Sequence, residues 1–251
     1  IWGVNNAKGP RLPLVLIPTT AGTGSEVTPI SIITTDDKEK KGVSSKFILP
    51  DLAILDPLLT TNLPANITAS TGIDAMVHAI EAFTSINSNN NPVSKMLSIE
   101  ALKLLGSSIK TAVFDGHNIN ARSNMLLGSM LAGKAFANSP VAAVHALAYP
   151  IGGLFNISHG LSNSLVLTSV MKFNSKNEET KKNYAYLSPY VFKNLDNTKN
   201  DEFLCNNFID GLERLCKELN LPYRLRDLEI PEEACKLMAS EAMKQTRLLV
   251  N

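Results

Sequence analysis

The sequence predicts a short α/β segment followed by a mostly helical domain. Three observations carry that prediction. The residues up to Pro57 hold three apolar or β-branched runs, each closed by turn residues. From Ser70 onward the apolar period lengthens to that of a helix. Strands first and helices after place a boundary near Thr60–Leu63, which divides the chain into residues 1–60 and 61–251.

Leu12-Pro13-Leu14-Val15-Leu16-Ile17-Pro18 is a short apolar run and predicts a buried strand. A turn of composition Thr-Thr-Ala-Gly-Thr-Gly-Ser follows at its C-terminal end, where open α/β sheets bind ligands. Ile30 to Thr35 predicts a second strand, and Asp36 to Gly42 a hairpin-like loop. Leu52 to Asp56 predicts a third strand, stopped by Pro57. Helical spacing covers Ser70–Thr84, Ser94–Leu105, Ala121–Ala137 and Phe203–Leu219. In the last of these, Ile209, Leu212, Cys216 and Leu219 share one apolar face. Asn87 to Pro92 and Ser188 to Asp201 read as polar loops.

The chain of 251 residues is long enough for a sizeable core. Its net charge of +1 gives no electrostatic footprint for nucleic acid or an anionic membrane. No apolar run approaches the ~20 residues of a membrane-spanning helix. Cys205, Cys216 and Cys235 read as reduced core or surface thiols. The cytosol is the default compartment, with the mitochondrial matrix as the alternative.

The histidines carry the chemistry. Asp74 and His78 stand four residues apart, so on a helix they share one face. His145 and His159 flank a Tyr-Pro-Ile-Gly-Gly stretch. One carboxylate and three imidazoles suit a borderline divalent ion such as Fe²⁺ or Zn²⁺. Each piece also has a plainer explanation. A carboxylate and an imidazole at this spacing are common on helix surfaces, and His145 lies in an apolar run that suits a hydrogen-bonded core residue. His117, in Asp-Gly-His-Asn, reads as solvated surface. Thr71-Gly72 reads as a helix start, which places Asp74 in the first turn, where the dipole favours a carboxylate. Pro150 is expected to interrupt any helix from Val141, putting His145 and His159 on different segments. Gly152, Gly153 and Gly160 are expected to let backbone approach closely around the site.

Four motifs together resemble the iron-containing (group III) alcohol dehydrogenase family. They are Pro18-Thr-Thr-Ala-Gly-Thr-Gly-Ser-Glu26, Thr71-Gly-Ile-Asp-Ala-Met-Val-His-Ala-Ile-Glu81, the stretch from His145 through Tyr149-Pro150 to His159-Gly160, and Leu221-Pro-Tyr-Arg-Leu-Arg-Asp-Leu228. The resemblance implies the dehydroquinate synthase-like fold of that family. It makes residues 1–60 the end of a nucleotide-binding domain and 61–251 a helical catalytic domain. It implies Asp74, His78, His145 and His159 as metal ligands, and Thr19, Thr20, Ser25, Thr28 and Lys41 as cofactor-lining positions. It also implies hydride transfer between NAD or NADP and a small alcohol or aldehyde, or a hydroxy acid and ketone. The metal, Fe²⁺ or alternatively Zn²⁺, is then a Lewis acid. A homodimer or higher homo-oligomer is the expected assembly.

Two departures stand out. Many relatives carry a second histidine where this chain has Tyr149. A phenol with a pKa near ~10 is a weak base at neutral pH, so Tyr149 is expected to shape the pocket and hydrogen-bond substrate. The family's Gly-rich phosphate loop is also missing, and Ile1 is not an initiator, so the chain reads as part of a longer enzyme that alone binds NAD(H) weakly. Two other readings remain. One is a dehydroquinate synthase or glycerol dehydrogenase relative, usually a zinc enzyme. The other is a non-catalytic helical metal-binding module.

Overall fold

The computed structural model describes residues 1–35, 40–193 and 198–248. Among the described residues, five short strands precede eight helices. The strands are β1 (Gly3–Val4), β2 (Val15–Leu16), β3 (Ile30–Thr34), β4 (Lys40–Ser44) and β5 (Leu52–Ala53). They form two small sheets. β4 lies between β1, which runs parallel to it, and β3, which runs antiparallel with Ile32 opposite Gly42. β2 and β5 pair in parallel, Val15 opposite Leu52.

The sequence placed strands here correctly but made them too long and too buried. Only Val15–Leu16 of the first run and Leu52–Ala53 of the third are strand. Val15 is 48% exposed and Leu52 52% exposed. An apolar parallel strand is buried only when other elements cover both faces, and this pair has one strand neighbour each. The expected loop at Asp36–Gly42 falls partly outside the described residues, and Lys40–Gly42 belongs to β4. Pro57 does more than stop a strand. It opens a 3₁₀ turn, Pro57–Thr60, whose first free N–H, on Leu58, is accepted by Asp56 Oδ1 at 3.0 Å.

The helices are α1 (Ala65–Thr84), α2 (Pro92–Phe114), α3 (Ile119–Asn138), α4 (Ala143–Phe155), α5 (His159–Asn174), α6 (Glu178–Val191), α7 (Asp201–Glu218) and α8 (Ala234–Met243). Asparagines start four of them. Asn91, Asn118, Asn177 and Asn200 accept N–H groups of the first turns of α2, α3, α6 and α7. Asn156, with φ 55°, turns the chain between α4 and α5.

α1 is the axis of the domain. It packs against α2, α3 and α5, and Ala69, Ile73, Ala75, Met76, Val77 and Ala79 are wholly buried. A helix enclosed on all sides has no polar face, so periodicity does not show where it begins. It starts at Ala65, not near Ser70, and Asp74 therefore lies in its third turn. The dipole argument for Asp74 fails accordingly, since that effect is confined to the first turn. Gly72 marks close packing instead of a helix start: a Cβ there would strike Met125 on α3 and Ile109 on α2.

Pro150 does not end its helix. α4 runs through it to Phe155, and the buried Pro150 and Ile151 keep it in place against α5 and α8. A proline removes one backbone bond and strains the preceding turn; tertiary packing outweighs that here. His145 and His159 still lie on different segments, because α4 ends at Phe155 and α5 begins at His159. The Ser188–Asp201 loop is shorter than its composition suggested, since α6 reaches Val191 and α7 starts at Asp201. Ile209, Leu212, Cys216 and Leu219 are buried together, as the α7 pattern predicted. Cys205 and Cys216 are buried free thiols and Cys235 is exposed.

Candidate metal centre

Three helices bring four side chains to one point. Asp74 and His78 come from successive turns of α1, His145 from the first turn of α4, and His159 opens α5. Asp74 Oδ1 lies 3.9 Å from His78 Nε2, 3.9 Å from His145 Nε2 and 3.7 Å from His159 Nε2. All four ligand atoms fall within 4.8 Å of one another. Ligands around a tetrahedral ion at ~2.1 Å are roughly 3.4 Å apart, so the group needs little contraction to close on one. The close approach of α5 to α1 depends on Gly160, where a Cβ would run into the Ser70 carbonyl and Asp74.

The outer shell fixes how two of the imidazoles are presented. His78 Nδ1 donates to the Gly22 carbonyl at 3.2 Å, which leaves its Nε2 lone pair facing Asp74. Its ring stacks between Phe136, at 4.5 Å, and His145, at 4.7 Å. His145 Nδ1 donates to Glu81 Oε2 at 2.6 Å, so its Nε2 is likewise an acceptor toward the centre. Glu81 also accepts from Ala142 N at 2.9 Å and Val144 N at 2.7 Å. One buried carboxylate on α1 thus caps α4 and orients its histidine. Burial pushes His78 down to about 3, although Asp74 opposes it. A neutral imidazole is the form that binds a metal.

The donor set fits a divalent ion. Three imidazole nitrogens and one carboxylate oxygen converge, three of the four residues are buried, and no lysine or arginine is among the group. His117 is exposed and away from this group, as its turn composition predicted. The side chain of His159 is 31% exposed, against 2–5% for the other three, so the centre opens on its side. Tyr149 stands at that opening, half-buried, its ring 6.1 Å from that of His159.

The positions expected to line a cofactor are distributed differently. Thr19, Thr20 and Ser25 lie on the loop after β2, with Thr19 and Ser25 exposed and Thr20 half-buried. Thr28 is buried just past the 3₁₀ turn Ser25–Val27. Lys41 lies on β4, opposite Ile33. The loop itself is seated on the helical domain. Gly24, at φ 58°, lies so close to Gly133 of α3 that a Cβ on either would strike the other's backbone. Gly22 meets Thr71 and receives the His78 bond.

Sequence reasoning missed Glu81 and Asn163 as members of the site. Glu81 ends the Asp74–His78 motif, three residues beyond His78, which was the available signal. Asn163, one turn after His159, gave the same i,i+4 signal on α5.

Comparison with known proteins gives the family of the chain. Residues 68–251 match the Fe-containing alcohol dehydrogenase family, C-terminal, and residues 2–57 match iron-containing alcohol dehydrogenase. The chain belongs to the iron-containing alcohol dehydrogenase family. Among its relatives, long-chain-alcohol dehydrogenase 1 of Geobacillus thermodenitrificans is 40% identical over 99% of this chain and 62% of that protein. The crystal structure of a 1,3-propanediol oxidoreductase superposes with a TM-score of 0.91 at 35% identity, over 97% of this chain and 63% of that one. A sulfoacetaldehyde reductase from Bifidobacterium kashiwanohense, solved in complex with NAD⁺, gives 0.81 at 29% identity, over 93% of this chain and 59% of that one. The chain therefore spans less than two thirds of these relatives. The family match favours the iron-containing group over the dehydroquinate synthase or glycerol dehydrogenase alternative. Among the described residues no helix is long and apolar enough to cross a membrane.

Proposed function

We propose that the protein carrying this chain is a metal-dependent oxidoreductase, moving hydride between NAD(P) and a small alcohol or aldehyde. The observation that carries the proposal is the convergence of Asp74, His78, His145 and His159 inside a family of alcohol dehydrogenases. These four residues hold Fe²⁺, or alternatively Zn²⁺. Bound there, the metal supplies Lewis acidity toward the substrate oxygen.

The chain's own residues do the rest. The Gly22 carbonyl and Glu81 hold two of the imidazoles correctly turned, each through its Nδ1. The exposed edge of His159 and the Tyr149 ring line the opening through which substrate enters. Tyr149 shapes that opening and hydrogen-bonds substrate or water, and His145 lies at the reacting centre as a ligand. Thr19, Thr20, Ser25, Thr28 and Lys41 face the nicotinamide cofactor, which the loop brings near the metal because Gly22 is bonded to His78. The NAD⁺ in the sulfoacetaldehyde reductase supports that cofactor class. Residues 1–60 and 61–251 form the end of the nucleotide domain and the catalytic domain, in a cytosolic homo-oligomer.

Metal analysis of the purified protein tests the reading. About one Fe or Zn per chain is expected, lost in His145→Ala. A metal-free wild type that stays folded and active overturns it.

A further inference from the structure

We propose that Asn163 is a further positioning residue of this centre, acting on Asp74, a role that rests on the metal-site reading above. Asn163 is wholly buried on α5, one turn after His159. Its Nδ2 donates to Asp74 Oδ1 at 2.5 Å and lies 3.3 Å from His145 Nε2 and 3.4 Å from His159 Nε2. Its Oδ1 is buried and has no hydrogen-bond partner.

A buried amide ordinarily satisfies both ends. This one leaves its carbonyl unpaired, donates to Asp74 Oδ1 and turns its amide nitrogen toward the Nε2 atoms of His145 and His159. Turning the amide over would set its oxygen 2.5 Å from a carboxylate oxygen, acceptor against acceptor. The orientation is therefore dictated by the site. Glu81 already takes the Nδ1 proton of His145, so the Nε2 facing Asn163 carries a lone pair. The amide N–H groups thus complement the electron-rich faces of Asp74 and His145, and of His159 where its Nε2 is unprotonated.

The consequence concerns Asp74. Oδ1 is the oxygen that faces all three imidazoles, and it is the one Asn163 holds. A carboxylate without that bond can rotate and offer either oxygen. With it, Oδ1 is presented and α5 is tied to α1 through the ligand set. α1 contributes Asp74 and His78 one turn apart, and α5 contributes His159 and Asn163 at the same spacing. The ligand set is thereby preorganised before an ion arrives.

The test uses the protein of this sequence with Co²⁺ as probe. Co²⁺ affinity is measured by competition with a chromophoric chelator, and its visible absorption band reports the ligand geometry. Asn163→Leu is expected to weaken Co²⁺ binding by ~10–100-fold and to move the band. Asn163→Asp preserves volume, removes both donors and is expected to move the band also; it decides the matter if the leucine variant does not fold. Unchanged affinity and band in Asn163→Leu, or an unchanged band in Asn163→Asp, overturns the proposal alone when the wild type takes up Co²⁺. A wild type that takes up no Co²⁺ overturns the metal-site reading and this proposal with it.

Discussion

Replacing Glu81 by glutamine removes one oxygen from a carboxylate that accepts three hydrogen bonds. Those bonds are 2.6 Å from His145 Nδ1, 2.7 Å from Val144 N and 2.9 Å from Ala142 N, and Glu81 is 5% exposed. Glutamine keeps one acceptor and turns an NH₂ toward at least one donor. If the retained oxygen faces Val144, two buried N–H groups are left opposed. Bonds to a charged group contribute about 1.5–3 kcal/mol each. Relaxation recovers part of the loss, so the expected destabilisation is about 3 kcal/mol. For a chain of this length that lowers Tm by roughly 6–12 °C. The metal suffers by a separate route. Without Glu81 as acceptor, His145 can shift its proton to Nε2 and withdraw the lone pair that faces the centre. Losing such an outer partner typically weakens metal binding by ~10–100-fold. Calorimetric unfolding of the metal-free protein reads the first effect, and chelator competition reads the second. A Glu81→Gln variant that melts within about 1 °C of wild type and holds metal equally well would refute the assignment of Glu81 to both capping and orientation.

Three further outcomes follow from the geometry. Gly160→Ala should push α5 away from α1, because the new Cβ meets the Ser70 carbonyl; a loss of about 1–3 kcal/mol in denaturant unfolding and reduced metal content are expected, and an unaffected variant would show that α5 has room. Tyr149→Phe in the full-length enzyme should change kcat/KM by less than ~100-fold with metal retained, whereas abolished turnover with intact metal and fold would make the phenol a direct proton donor. Burial pushes Cys205 up to about 11 and Cys216 up to about 12, so a thiol reagent at neutral pH should label Cys235 in the native protein and all three cysteines after unfolding; rapid native labelling of Cys216 would contradict the packing of α7.

What was legible in the sequence was whatever a single element displays by itself. Asp74 and His78 are i,i+4 on one helix, and that relation survives any error in where the helix begins. The boundary did not survive, because α1 is buried on every side and shows no polar stripe. Gly72 looked like a terminus for the same reason: a glycine chosen for close packing and a glycine at a helix end are identical in one dimension. The strands failed in the opposite sense. Their apolar runs were visible, but Val15 and Leu52 are exposed, since burial depends on what lies across a face and not on the face itself. The outer shell is the extreme case. Glu81 and Asn163 each sit one helical turn from a histidine, a spacing that also describes ordinary core residues. Their meaning appears only when α4 brings His145 to Glu81 and α5 brings Asn163 to Asp74, separations of 64 and 89 residues. Short-range spacing can nominate ligands, whereas the partners that orient them are specified by helix packing.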